Sequence, residues 1–321
     1  MKTLAAYSEL IENALCDFKL PQQPANLYDP LHYFLQLGGK RMRPILTLLA
    51  TEAFGKQAND GVHAALAVEL FHNFSLIHDD IMDAAPLRRG KQTVHEKWNA
   101  NIAILSGDVL LVKAYECLSN YEPSIFKSLF SVFNQTAIEV CEGQQYDMDF
   151  EQLNNVSEAS YIEMIRLKTS VLLGCALELG AIIGGADKIA AQQIYRFGEQ
   201  LGLAFQIQDD LLDLFGESAR VGKQIGGDVL ANKKTLLSIA AKKLANPSEI
   251  ATLDEISMIE KDEEKIRRTQ KIYLDLGAKS YCESKMNTFH QEALKALDQI
   301  ENVDSKAAFY ELADFLLNRS H

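Results

Sequence analysis

Two short acidic runs carry the first chemical suggestion in this 321-residue chain. Residues 79 to 83 read Asp79-Asp80-Ile81-Met82-Asp83, and residues 209 to 213 read Asp209-Asp210-Leu211-Leu212-Asp213. On a helix, positions i and i+4 share a face. Asp79 then projects beside Asp83, and Asp209 beside Asp213. Like charges at that spacing destabilise a helix unless something offsets them. Hard oxygen ligands on one face suit Mg²⁺, which takes carboxylates, waters and substrate phosphates. Two such helices could share a magnesium cluster bridged by a diphosphate. The plain alternative is a pair of solvated acidic turns. A single motif of this kind is weak, since about 0.08 are expected by chance in a chain this long. Two are far rarer, and both follow apolar segments, Phe71 to Ile77 and Leu201 to Ile207.

Basic residues stand near both runs. Gly38-Gly39-Lys40-Arg41-Met42-Arg43-Pro44 opens an apolar segment. Glycines let backbone approach an anion closely, a helix N-terminus favours negative charge, and Arg grips phosphate oxygens with paired donors. Pro86-Leu87-Arg88-Arg89-Gly90 follows the first acidic run within a few residues. Lys223 and Lys233 flank the glycines of residues 222 to 227, just after the second run. Lys168-Thr169 lies in an apolar segment, where snorkelling to solvent is the ordinary reading of the lysine. His72 and His78 precede the first run, and both read as structural or orienting groups. No nucleotide phosphate loop of the GxxxxGK[ST] type occurs.

Helices must position these groups. Leu66, Leu70, Phe71, Phe74 and Ile77 recur at threes and fours, and so do Ile162, Ile165, Val171, Leu172, Cys175, Ala176 and Leu179. Strict strand alternation is scarce, and the seven prolines leave residues 124 to 246 clear. The expectation is about a dozen helices in one all-α domain spanning residues 1 to 321. Charge-rich residues 254 to 268 read as a solvated surface helix. Residues 171 to 186 are the most apolar stretch, and read as a buried helix short of the roughly 20 residues of a membrane span.

The net charge of −12 argues against nucleic-acid binding, which needs a basic footprint. It leaves room for an anionic substrate in a locally basic cleft. Five scattered cysteines without a CxxC pair read as thiols of a reducing cytoplasm. The first residues carry Glu9 and Glu12 and do not read as a signal peptide.

Taken together, GGKRMRP, SLIHDDIMDAAPLRRG, KTS, FQIQDDLLD and GKQIGGD resemble, in order and spacing, the trans-isoprenyl diphosphate synthases. That family includes the farnesyl and geranylgeranyl diphosphate synthases. The resemblance implies an all-α bundle around a central cavity, usually as a homodimer, with Mg²⁺ as cofactor. It implies magnesium at Asp79, Asp83 and Asp209, supported by Asp80, Asp210 and Asp213. Isopentenyl diphosphate would bind at Lys40, Arg43, His72 and Arg89. The allylic diphosphate would bind at Arg88, Lys168, Thr169, Gln206, Lys223 and Lys233. Thr169 and Gln206 would also face the allylic cation, and released diphosphate would take the proton. One departure is Asn232, where many members place a glycine before the lysine.

In the family, bulky residues four and five positions before the first Asp form the floor of the chain-length pocket. Here these are Ser75 and Phe74. The pair resembles short-chain synthases and favours the twenty-carbon product over the fifteen-carbon one. A strict helix puts Phe74 about 140° around the axis from Asp79, so the floor role rests on the resemblance alone. Rival readings are a farnesyl diphosphate synthase, a class I terpene cyclase and a non-catalytic subunit of a heteromeric synthase. The second full acidic motif argues against a cyclase, and the intactness of both argues against a non-catalytic subunit.

Overall fold

Little in the chain interrupts helix, and helix is what forms. The computed structural model describes residues 3–216, 225–301, 303 and 306–317. Its early helices are α1 (Leu4–Asp17), α2 (Ala25–Leu35), α3 (Met42–Ala53) and α4 (Val62–Met82). A two-stranded hairpin follows, β1 (Leu87–Arg88) against β2 (Lys91–Gln92). Next come α5 (Val94–Lys97), α6 (Ala100–Leu118), α7 (Pro123–Glu151) and α8 (Glu158–Ile165). A π-helical turn, Arg166–Ser170, leads into α9 (Val171–Gly184), and then α10 (Lys188–Phe215). The remainder is α11 (Gly227–Leu230), α12 (Leu236–Leu244), α13 (Pro247–Ser257), α14 (Asp262–Asp275), α15 (Ala278–Asp298) and α16 (Ala307–Leu317). The chain is all-α, as its periodicity predicts. The helices outnumber the expected dozen because single turns such as α5 and α11 count among them.

Contacts gather the chain into two compact units. One comprises Met1–Ile138, Leu172–Tyr195 and Ile300–Ser305, the other Glu139–Val171, Arg196–Gln299 and Lys306–His321. In the first unit α4 is the core helix. The predicted stripe Leu66, Leu70, Phe71, Phe74 and Ile77 is buried throughout. Helix α9 rests on α3 at Gly180, where a Cβ would lie 2.2 Å from the Thr47 carbonyl oxygen. Helix α6 meets α4 at Gly107, where a Cβ would lie 2.4 Å from His78 Nε2.

In the second unit Ile207, Leu211 and Leu214 of α10 share a core with Leu236 and Leu237 of α12 and Tyr161 of α8. Two sequence expectations change here. Helix α14, read as solvated, buries Lys265, Thr269 and Tyr273. Their spacing of four makes one stripe, which charge composition hides. The apolar stretch beginning at Val171 extends backward through the π turn and α8. The whole run, Glu158–Gly184, is long and apolar enough to cross a membrane by length and composition, and 78% of its most apolar window is buried. It packs as a core helix.

Gly180→Ala should lower stability by about 2 kcal/mol, read as a lower midpoint in urea unfolding. Helix propensity alone would raise stability by up to about 1 kcal/mol. A raised midpoint would contradict the close approach of α9 to α3.

Candidate active site

Both acidic motifs sit where a helix tolerates carboxylates least. Helix α4 ends at Met82, and Asp83 is its C-cap, with its amide bonded to the Asp79 carbonyl at 2.8 Å. Asp209 and Asp213 lie in the last two turns of α10. A helix C-terminus carries partial negative charge. Each motif thus adds like-charge repulsion to an unfavourable dipole. A cation relieves both. Asp83 and Asp209 are exposed, while Asp80 and Asp210 are buried.

Each buried partner holds a neighbour. Asp80 Oδ1 accepts from Arg88 Nε at 2.9 Å and Nη2 at 2.5 Å, and that Nη2 lies 3.7 Å from Asp79 Oδ2. Burial raises the Asp80 carboxyl above its ordinary value, and Arg88 opposes the rise. Arg88 is on β1. The hairpin turns through Arg89 and Gly90, both at positive φ, 53° and 74°. Two left-handed residues suit a two-residue hairpin, although an Arg there costs roughly 1–2 kcal/mol. The Arg89 guanidinium lies over Gly39, where a Cβ would be 2.8 Å from Nη2. That close approach, with φ 147°, requires the glycine.

Arg43 on α3 donates to His72 Nε2 at 3.2 Å. A guanidinium can only donate, so that imidazole nitrogen accepts and the ring is neutral. Burial, followed by Arg43, Arg89, Arg88 and Arg41, holds His72 well below its ordinary value. Lys40 is exposed beside them in sequence. Arg41 is one residue that sequence reasoning missed. It is buried in the left-handed region at φ 47°. It reaches Glu69 at 2.5 Å, Glu12 at 3.0 Å and the Leu35 carbonyl at 2.9 Å. Glu69 also accepts from Asn73 at 3.0 Å. This network fixes the glycine loop to α4.

Phe74 is buried in an aromatic group, 4.7 Å from the His78 ring and 5.5 Å from Phe71. His78 turns to α6 and bonds the Ile104 carbonyl at 3.1 Å. Ser75 Oγ donates to the His72 carbonyl at 2.9 Å.

In the second unit Lys168 and Thr169 stand on the π turn, a feature the apolar pattern does not reveal. Gly143 of α7 meets it so closely that a Cβ would lie 2.2 Å from the Lys168 amide nitrogen. Gly202 of α10 touches it at Ser170, 2.7 Å by the same measure. Such turns recur at functional sites because they displace side chains from the regular helical positions. Lys168 pairs with Asp147 at 2.6 Å. Asp147 was not foreseen, being one of several carboxylates along α7 with no motif around it. Thr169 donates to Gln206 Oε1 at 3.2 Å, and Gln206 Nε2 donates to Asp210 Oδ1 at 3.2 Å. Tyr161 donates to the other Asp210 oxygen. Burial pushes Asp210 up to about 7, against the hydrogen bond from Tyr161.

Asp213 organises the turn beyond. Its carbonyl accepts from Gly226 at 2.7 Å and its carboxylate from the Asp228 amide at 3.1 Å. Asn232 has φ 52°, so it occupies the left-handed region that Gly or Asn enters with least strain. That accounts for the departure noted at this position. Lys168, Thr169, Gln206, Asp210 and Lys233, with Asp147, line a cavity of about 450 Å³. Lys223 lies outside the described residues. Among the described residues no three His, Cys, Asp or Glu side chains converge to hold a metal unaided. Magnesium rarely needs an all-protein cage, since substrate phosphates complete its shell. The exposed, hard carboxylates fit that ion.

The polyprenyl synthetase family model matches residues 24–276. The geranylgeranyl pyrophosphate synthase of Geoglobus acetivorans is 37% identical over 316 residues, 98% of this chain and 97% of that one. The geranylfarnesyl diphosphate synthase of Natronomonas pharaonis is 32% identical, over 99% of this chain and 97% of that one. A crystal structure of a geranylgeranyl pyrophosphate synthase superposes with a TM-score of 0.93 at 43% identity, covering 99% of each chain. The chain belongs to the polyprenyl synthetase family and is an isoprenyl diphosphate synthase, a prenyltransferase.

Arg41→Met leaves Glu69 buried without its cation, which costs about 3–5 kcal/mol. Thermal unfolding should show that loss, and Arg41→Met/Glu69→Gln should recover part of it. Equal instability of the single and double variants would contradict the pairing.

Proposed function

We propose that the chain condenses isopentenyl diphosphate with allylic diphosphates in trans geometry, and that its main product is geranylgeranyl diphosphate. The observation that carries this reading is the pair of acidic motifs at two helix C-termini, each backed by its own set of basic groups. Relatives named for the twenty-carbon product match nearly the whole chain, which supports the product. The geranylfarnesyl relative keeps a longer chain as the second reading.

Asp79, Asp83 and Asp209 would hold Mg²⁺, with Asp80, Asp210 and Asp213 supporting them. When bound, the metal neutralises charge on a departing diphosphate. Arg88, Lys168, Lys223 and Lys233 grip the allylic diphosphate and stabilise its negative charge as the C–O bond ionises. Lys40, Arg43, His72 and Arg89 hold isopentenyl diphosphate, whose double bond attacks the allylic cation. Neutral His72 can accept or donate without adding charge among the guanidinium groups. Thr169 and Gln206 turn oxygen dipoles toward the cation, and Asp210 keeps the Gln206 amide oriented. The allylic cation must be shielded from water to escape hydrolysis. The released diphosphate takes the proton, so no protein base is required.

We assign the whole chain to one catalytic domain. The two compact units interleave in sequence and the family match runs through both. A homodimer is supported by the outer face of α6, where Leu105 is 56% and Val112 66% exposed. Seven apart, they form one apolar stripe, and Phe130 and Ile138 of α7 are also exposed. None of the five cysteines forms a disulfide, which supports a reducing cytoplasm.

The test is incubation of the purified chain with Mg²⁺, isopentenyl diphosphate and each allylic primer, followed by product sizing. Twenty-carbon product is expected. Phe74→Ala should shift products to longer chains. No condensation with any primer would sink the reaction, and unchanged products from Phe74→Ala would sink the floor assignment.

A further inference from the structure

Behind the residue 228–235 segment lies a second chamber, of about 400 Å³. Asp228, Asn232, Lys233, Lys234 and Thr235 line both this chamber and the catalytic cavity. The segment is therefore a wall between two spaces. On the far side stands the buried stripe of α14, Lys265, Thr269 and Tyr273. Ile266 of the same helix packs against Gly226, where a Cβ would meet it at 2.7 Å, so α14 is seated under the glycine turn.

Lys265 is the anomaly. It is only 6% exposed, and its ammonium makes no ion pair or hydrogen bond with any described residue. The long apolar stem accounts for this burial, and the ammonium itself is not sealed from the chamber that the residue lines. Three further lysines line the same chamber, Lys233, Lys234 and Lys242, against two carboxylates, Asp228 and Asp254. Four cations to two anions, around space large enough for a ligand, describe a site short of negative charge. Hydroxyls from Thr235 and Thr269 supply further donors. The opposite wall is apolar, with Val229, Ile239, Leu253 and Ile256.

We propose that this chamber is an oxyanion site, separate from the catalytic cavity, that takes a phosphate or diphosphate group on Lys265. Lys234 and Lys242 complete the charge around it. An anion seated there braces the segment that carries Lys233, so occupancy bears on the catalytic side of the wall. The anion is either free inorganic diphosphate or the head of a prenyl diphosphate whose tail lies on the apolar wall.

The experiment is isothermal titration of the full chain with inorganic diphosphate in EDTA. This readout requires no prenyl transfer, so it stands or falls apart from the reaction proposed above. The parent chain should bind one equivalent more than Lys265→Met and one more than Lys242→Met. Lys242 is exposed on α12, so its variant decides the matter if Lys265→Met fails to fold. Equal stoichiometry and affinity in the parent and Lys242→Met, with a folded Lys265→Met behaving likewise, would overturn the site. Repeating the titration with geranylgeranyl diphosphate separates the sources. Tenfold tighter binding at the Lys265-dependent equivalent assigns it to a prenyl diphosphate, and equal affinity assigns it to the free anion.

Discussion

The organising constraint is negative charge held at the negative ends of helices. Asp79 and Asp83 close α4, and Asp209 and Asp213 lie at the end of α10. Both the helix dipole and the i,i+4 repulsion oppose this arrangement. A structure that keeps it must bring cations to both places. In the proposed reaction substrate diphosphates would bring further negative charge, which Mg²⁺ and basic side chains together would offset.

Buried ionic groups hold the exposed ones in position. Arg41 and Glu69 tie the glycine loop to α4, and Asp80 holds Arg88 beside Asp79. In the second unit Tyr161 and Gln206 hold Asp210, and through Gln206 the bond to Thr169. Local strain gathers at the same places. Arg41, Ala84, Arg89 and Asn232 all have positive φ, and each adjoins a site segment. Strain of this kind persists only where surrounding contacts over-determine the backbone. Here those contacts are the ion pairs, the glycine approaches and the turn on Asp213.

The sequence was informative where chemistry has a fixed spacing. The acidic motifs, the basic companions and the α4 stripe could all be read because each follows helical periodicity or stands beside a glycine signal. The π turn could not, since one extra residue per turn leaves no mark on an apolar run. The Arg89-Gly90 hairpin lacks the usual Asn or Asp. Arg41 stood inside the glycine-basic motif without a role of its own and Lys265 in a segment read as solvated, and only tertiary contacts show that both are buried. Asp147 became visible once Lys168 was seen beside it. Charge composition made α14 look solvated because its buried stripe carries a lysine.

The most direct measurement compares the parent with the double variants Asp79→Asn/Asp83→Asn and Asp209→Asn/Asp213→Asn by condensation activity in Mg²⁺, with thermal unfolding as the check that each variant is folded. Each folded variant should lose condensation, since neither retains the charge to hold the metal at its motif. A folded variant that still condenses at the parent's rate would contradict the account.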